Sequence, residues 1–181
     1  MKVNSNQLLV DLRNMCVKHQ KDLEALSSLT DEQLQSKPGP EAWNTLECIE
    51  HLNRYGRFYL PEIRRRLQNS SAKPTKTFRS GLLGNYFAES MLPKPGFKTM
   101  NTFKVMNPLN ADLDRSALQD FSNQLEEMLE LLEMARRKNL NRIRTSISIS
   151  KLIKLKLGDT FRVVIYHNER HLQQAKKLIS S

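Results

Sequence analysis

Cysteine is nearly missing from this chain of 181 residues: Cys16 and Cys48 are the only two. They show no Cys-x-x-Cys spacing, so neither a disulfide framework nor a thiolate zinc site is expected. Both fall inside helical patterns, where a small buried hydrophobe in a reducing compartment is the simpler reading. Glycine is also scarce, at six residues. The longer apolar-periodic segments are rich in Leu, Glu, Gln, Lys and Arg, which favours helix over sheet. No apolar run approaches the roughly 20 residues that a bilayer span needs. Residues 1–16 lack the apolar run and small-residue cleavage site of a secretory signal. The expected setting is cytoplasmic, with no membrane partner. No internal repeat or low-complexity tract is found.

Acid is the other thing in short supply: 19 Asp and Glu stand against 29 Lys and Arg, a net charge of +10. Cations near a helix C-terminus complement its dipole, and this accounts for Arg64, Arg65 and Arg66, for Arg136, Arg137 and Lys138, and for Lys176 and Lys177. The other basic residues are either solvated surface or a patch for anions. The basic stretch over residues 136–156 has no interleaved aromatics for base stacking, and no helix-turn-helix or finger pattern is present. These absences argue against nucleic acid as the partner.

What is present is helical periodicity. One domain over residues 1–181 is expected, large enough to bury roughly 70% of its unfolded surface. Leu8, Leu12, Met15, Cys16, His19, Leu23 and Leu26 define one face of a first helix over about residues 4–27. Thr30 to Gln33 read as a short capped turn. The second helix should begin after Asn44, with Glu47 three residues on as a capping box and Trp43 placed for a hydrophobic staple. Its face runs through Cys48, His51, Leu52, Tyr55 and Ile63, with Pro61 as a kink or break. Residues 72–108 are the least regular, and only Leu82–Leu92 has helical character there. The third helix is expected over about residues 109–138 with Asn110 as a cap. Ile153, Leu155 and Leu157 alternate with lysines, which suggests an extended segment. The fourth helix should start near Gly158, capped by Asp159. Four amphipathic segments and two long crossovers, with no convincing sheet, predict an all-α fold: a four-helix bundle with long crossover loops.

The four histidines carry the functional information. His167 and His171 are spaced i,i+4 and share a helix face, and His51 lies on the inner face of another helix. Bundle cores are where facing helices build metal sites. Three imidazoles leave coordination positions open, as catalytic sites do. The bland alternative stands beside this: HxxxH arises often by chance, and a lone histidine on an apolar face is usually a satisfied core residue. For His19 the bland reading is preferred.

The residues from Trp43 to Asn53 (Trp, a capping Asn, Glu47, then His51) resemble the second-helix motif of the DinB/YfiT-like family. His167, Asn168, Glu169, Arg170, His171, Leu172, Gln173 and Gln174 resemble its last-helix motif, H-x-x-R-H-x-x-Q, and the order and spacing of the segments agree over nearly the whole chain. Residues 100–108 resemble the segment before the third helix in some members. The resemblance implies a four-helix bundle with a divalent metal, often nickel or zinc, held by His51, His167 and His171. It further implies a metal-dependent enzyme, either a transferase using a low-molecular-weight thiol or a hydrolase, with thiol transfer preferred. A homodimer is compatible with it. A non-enzymatic basic binding protein for nucleic acid or an acidic partner is the reading from a different class.

Neighbours of the histidines carry two readings each. Glu47 is either a base near the metal or the reciprocal cap, and the cap is preferred. Arg170 binds an anionic substrate or makes a structural ion pair. Gln174 orients a ligand or lies on the surface. Tyr55 lines the pocket or only packs. Cys48 lacks an activating environment and is read as core.

Overall fold

A computed structural model describes residues 1–93 and 102–179 of the chain, with Lys151 by its backbone alone. Pro95 and Gly96 of the irregular connection, and Met100 and Asn101 of the segment before the third helix, lie outside the described residues.

The chain is predominantly helical, as its composition led us to expect. Strand β1 (Lys2–Asn4) runs directly into helix α1 (Ser5–Ser27). Asn4 is the cap: its side chain accepts from the amides of Asn6 and Gln7, two of the donors a helix start leaves orphaned. The short helix α2 (Asp31–Gln35) follows a Thr30–Gln33 capping box. Helix α3 (Thr45–Gln68) opens on the expected reciprocal pair, Asn44 accepting from the Glu47 amide and Glu47 from the Asn44 amide. Pro61 does not break α3. It lies on the exposed face, where a carbonyl that loses its partner can be hydrated.

The rest of the chain departs further from expectation. Strand β2 (Thr77–Arg79) pairs antiparallel with β1, Val3 opposite Phe78. Helix α4 (Leu82–Met91) and a 3-10 turn (Lys104–Met106) follow. Helix α5 (Ser116–Ala135) is shorter than expected at both ends. Asn110 does not cap it: its backbone is left-handed (φ 59°), and its amide donates to the Glu47 carboxylate at 2.6 Å. Asp114 takes the amide of Ser116 instead, at 2.8 Å.

Strands β3 (Arg144–Ile147) and β4 (Ser150–Lys156) form an antiparallel hairpin, the extended segment flagged by alternation. Two small sheets thus stand where no convincing sheet was expected. Helix α6 (Leu157–Ile179) follows β4 without a loop. Asp159 falls in its first turn rather than before it, and serves another helix: its carboxylate accepts from the Gly81 amide just ahead of α4 and from the Ser80 hydroxyl. Gly158 is needed where α6 meets β2, because a Cβ there would lie 2.6 Å from the Phe78 ring.

The four long helices pack α1 against α5 and α6, and α3 against α5 and α6. Two apolar layers fix their directions. Leu8, Ile63, Met128 and Phe161 share one layer, and Leu26, Leu46, Leu118 and Leu172 share the other. So α1 and α6 run parallel, and α3 and α5 run parallel to each other and opposite to them. Parallel neighbours cannot be joined by a tight turn, which explains the long connection between α3 and α5. Among the described residues no helix is long and apolar enough to cross a membrane.

Two carboxylates tie this arrangement to pH. Burial alone would raise Glu62, but the Ser146 amide and the guanidinium groups of Arg66 and Arg65 hold it down at about 2 instead of the ordinary 4.5. Hydrogen bonds from His19, Lys18 and Gln173 outweigh burial at Glu169 and bring it to about 2 as well. A carboxylate depressed in the folded state adds stability above its unfolded pKa and loses it as pH falls toward the folded one. Between pH 4.5 and 2 these two carboxylates should therefore lower the urea midpoint, each withdrawing up to about 1.4 kcal/mol per pH unit. Replacing Glu62 by Gln should flatten that fall. An unchanged slope would contradict the assignment.

Candidate metal centre

His51 lies in the second turn of α3, a position set by the capping box at Asn44 and Glu47. His167 and His171 project from the middle of α6 toward it. The ring centroids are 4.9 Å apart for His51 and His167, 4.5 Å for His51 and His171, and 4.6 Å for His167 and His171. One ligand nitrogen from each ring falls within 4.8 Å of the other two. All three sequence-derived candidates are therefore brought together, in a group that can hold a metal ion. Their exposures are 2, 8 and 9%.

Two tautomers follow from the surroundings. His51 Nδ1 is 2.7 Å from the Met106 carbonyl oxygen, which can only accept, so Nδ1 carries the proton. His171 Nδ1 is 3.0 Å from Gln174 Oε1, and with the amide oxygen turned to the ring it too carries its proton on Nδ1. Both leave Nε2 with a bare lone pair. His51 Nε2 also lies 3.1 Å from His167 Nε2. A bare nitrogen at that separation calls for something positive between the two, a proton on His167 or a cation shared by both. Nitrogens about 2.1 Å from one ion stand about 3.0 Å apart at a right angle and about 3.4 Å apart at the tetrahedral angle. The observed separation falls in that interval, so the donor set fits a metal.

Electrostatics keep the rings in ligand form. Burial pushes His51 down to about 4, aided by Arg54 and only partly offset by the Met106 bond. Burial, with His51 and Arg170, brings His171 to about 3 against the Gln174 bond, and burial holds His167 well below its ordinary value. Neutral imidazole is the form that binds metal.

Aromatic walls surround the group. The Trp43 ring is 4.7 Å from His51 and 5.8 Å from His171, and Tyr55 meets His51 at 5.0 Å and His167 at 4.6 Å. Tyr55 thus lines the site, and Trp43, read from the sequence as a staple, is part of its wall. The strap carrying Met106 is held down by Trp43 Nε1 donating to Asn107 Oδ1 (3.0 Å) and by Arg54 donating to the Asn107 carbonyl (2.8 Å).

The other candidates separate cleanly. Glu47 spends its hydrogen bonds on the Asn44 and Asn110 amides and on Lys37 at 2.8 Å, none on the three histidines, which agrees with its capping role. Gln174 orients His171 rather than facing solvent alone. Arg170 donates to the Ser90 carbonyl near the end of α4. The Cys48 thiol is buried and pushed up to about 12 by that burial and by Glu47, so it is core and not a nucleophile. His19 is fully buried, 3.0 Å from Glu169, which also takes Lys18 at 2.8 Å. Sequence reasoning missed Arg54 and the Met106 carbonyl. A backbone acceptor leaves no residue signature, and the strap carbonyls that Arg54 reaches lie 51 and 53 positions along the chain.

A family model of the DinB superfamily matches residues 17–175, a span that contains all three histidines. Comparison with curated proteins and with solved structures gave no match. With the family model covering most of its length, the chain belongs to the DinB superfamily.

Proposed function

We propose that the four long helices form a four-helix bundle of the DinB type in which His51, His167 and His171 bind one divalent cation, nickel or zinc. We propose further that this centre serves an enzyme acting on a low-molecular-weight thiol. The observation that carries the reading is the pair of Nε2 atoms 3.1 Å apart, one of them left without a proton because the Met106 carbonyl accepts from Nδ1–H of the same ring. When bound, such a cation lowers the pKa of a thiol or water that it meets. The chain's own residues do the rest. Met106 and Gln174 hold two imidazoles in the ligand tautomer. Trp43 and Tyr55 wall the group and limit water. Arg54 keeps the strap closed over His51.

Cobalt(II) is a visible substitute for either ion. Titrating it into metal-free protein should saturate at one equivalent, and His51→Ala should abolish the spectrum. Adding a low-molecular-weight thiol to the cobalt form should then produce a new charge-transfer band. A normal cobalt spectrum that thiols leave unchanged would favour the hydrolase alternative, and no spectrum at all would remove the metal reading.

A further inference from the structure

A second concave site lies at the other end of α3. It is an open cleft of about 850 Å³ between residues 69–75 and residues 139–144, within the size range of small-molecule sites. Arg66, Lys73, Arg142 and Arg144 line it, and no lining residue is acidic. Arg66 and His51 are separated by about 22 Å along the axis of α3, so the cleft is distinct from the histidine group.

Helix dipoles do not account for this charge. The C-termini of α3 and α5 do point here, and Lys138 answers one by donating to the Ser70 carbonyl at 2.6 Å, while Arg66, like Arg65, is paired with Glu62. Lys73, Arg142 and Arg144 belong to no helix and make no ion pair among the described residues. Most arginines elsewhere on the helices are matched to a carboxylate, as Arg54, Arg57 and Arg64 are. The sheets add to the imbalance. Arg144 stands directly opposite Lys156 across the β3–β4 ladder, and Lys2 opposite Arg79 across β1–β2. Like charges facing each other across a ladder are destabilising. Lys156 reaches the Arg79 carbonyl, so the two repulsive pairs adjoin.

We infer that this cleft binds a small, multiply charged phosphate ligand, a sugar phosphate or polyphosphate rather than a nucleotide. Guanidinium groups match phosphate oxygens in paired hydrogen bonds, and two of the four cations here are exposed arginines on one short segment. Asn69 and Ser71 supply neutral donors in the same wall. The lining holds no Phe, Tyr or Trp, so a base has nothing to stack on, and the charge is gathered in a concavity rather than along a stripe.

The test uses the full chain carrying His51→Ala, so that polyphosphate cannot act through a metal at the histidines and the outcome is independent of the function proposed above. Inorganic tripolyphosphate should bind one to one in calorimetry at physiological salt. Arg144→Glu, which places an acid opposite Lys156, should weaken binding at least tenfold while the melting temperature holds or rises. Arg13→Gln, a cation on the exposed face of α1, should leave binding unchanged. Absence of saturable binding, or equal losses in both variants, would overturn the inference. Tighter binding of a DNA duplex, with a steep salt dependence, would overturn it in favour of a nucleic-acid surface.

Discussion

Replacing Asp159 by Asn should destabilise the fold by about 3 kcal/mol, roughly 6–12 °C in melting temperature for a chain of this size. Asp159 is fully buried and Arg162 is 1% exposed, with Arg162 Nη1 3.3 Å from the carboxylate. The same guanidinium bonds Asn85 at 3.0 Å and Glu89 at 2.7 Å, both on α4. Asp159 in turn accepts from Ser80 and from the Gly81 amide at the start of α4. The pair therefore locks α4 onto α6. Removing the charge alone leaves a buried cation with only the half-exposed Glu89 as counter-charge, and the amide keeps one acceptor oxygen where the carboxylate offered two, so its NH2 must face either the Gly81 amide or Ser80 and Arg162. Adding Arg162→Met removes the stranded charge, so the double variant should lose less than the sum of the two single changes. Equilibrium urea unfolding of the three variants checks this. A loss below about 0.5 kcal/mol for Asp159→Asn would place the pair among ordinary surface bridges.

The second large effect is the response to metal. A ligand that binds only the folded state stabilises it by about 2.7 kcal/mol at a hundredfold excess over its Kd, here roughly 5–11 °C. Wild type should show that gain with zinc or nickel, and His167→Ala should show none. His19→Gln is the telling control. His19 is the most buried of the four histidines and holds Glu169 between the two histidines of α6, so its loss should lower the melting temperature of the metal-free protein. It should nevertheless keep the full metal-dependent gain. Equal responses from His167→Ala and His19→Gln would mean that metal acts through general packing and not through the three Nε2 atoms.

The features legible in the sequence are those encoded by near neighbours. The i,i+4 spacing of His167 and His171 and the box at Asn44 and Glu47 are local, and both stand in the structure as read. Cys48 and His19 took their bland readings for the same reason, since their faces were plain from periodicity. Residues whose partners are distant were misread. Asp159 has the look of an N-cap, but its acceptors serve Gly81, 78 positions away. Asn110 has the residue type of a cap and instead takes a left-handed turn that returns its amide to Glu47. Strands of three residues, as in β1 and β2, are too short for any two-residue period to register. The wall of the histidine group was only half visible. Tyr55 sits one turn from His51 and could be placed, whereas the Met106 carbonyl reaches the ring from 55 positions along the chain.

Whether the three histidines hold a metal is decided by elemental mass spectrometry of the untagged protein beside His51→Ala and His171→Ala. Close to one divalent ion per chain, nickel or zinc, is expected in the wild type and none in either variant. A wild-type protein that carries no metal and takes none up on titration, or variants that keep their full complement, would contradict a three-histidine metal site.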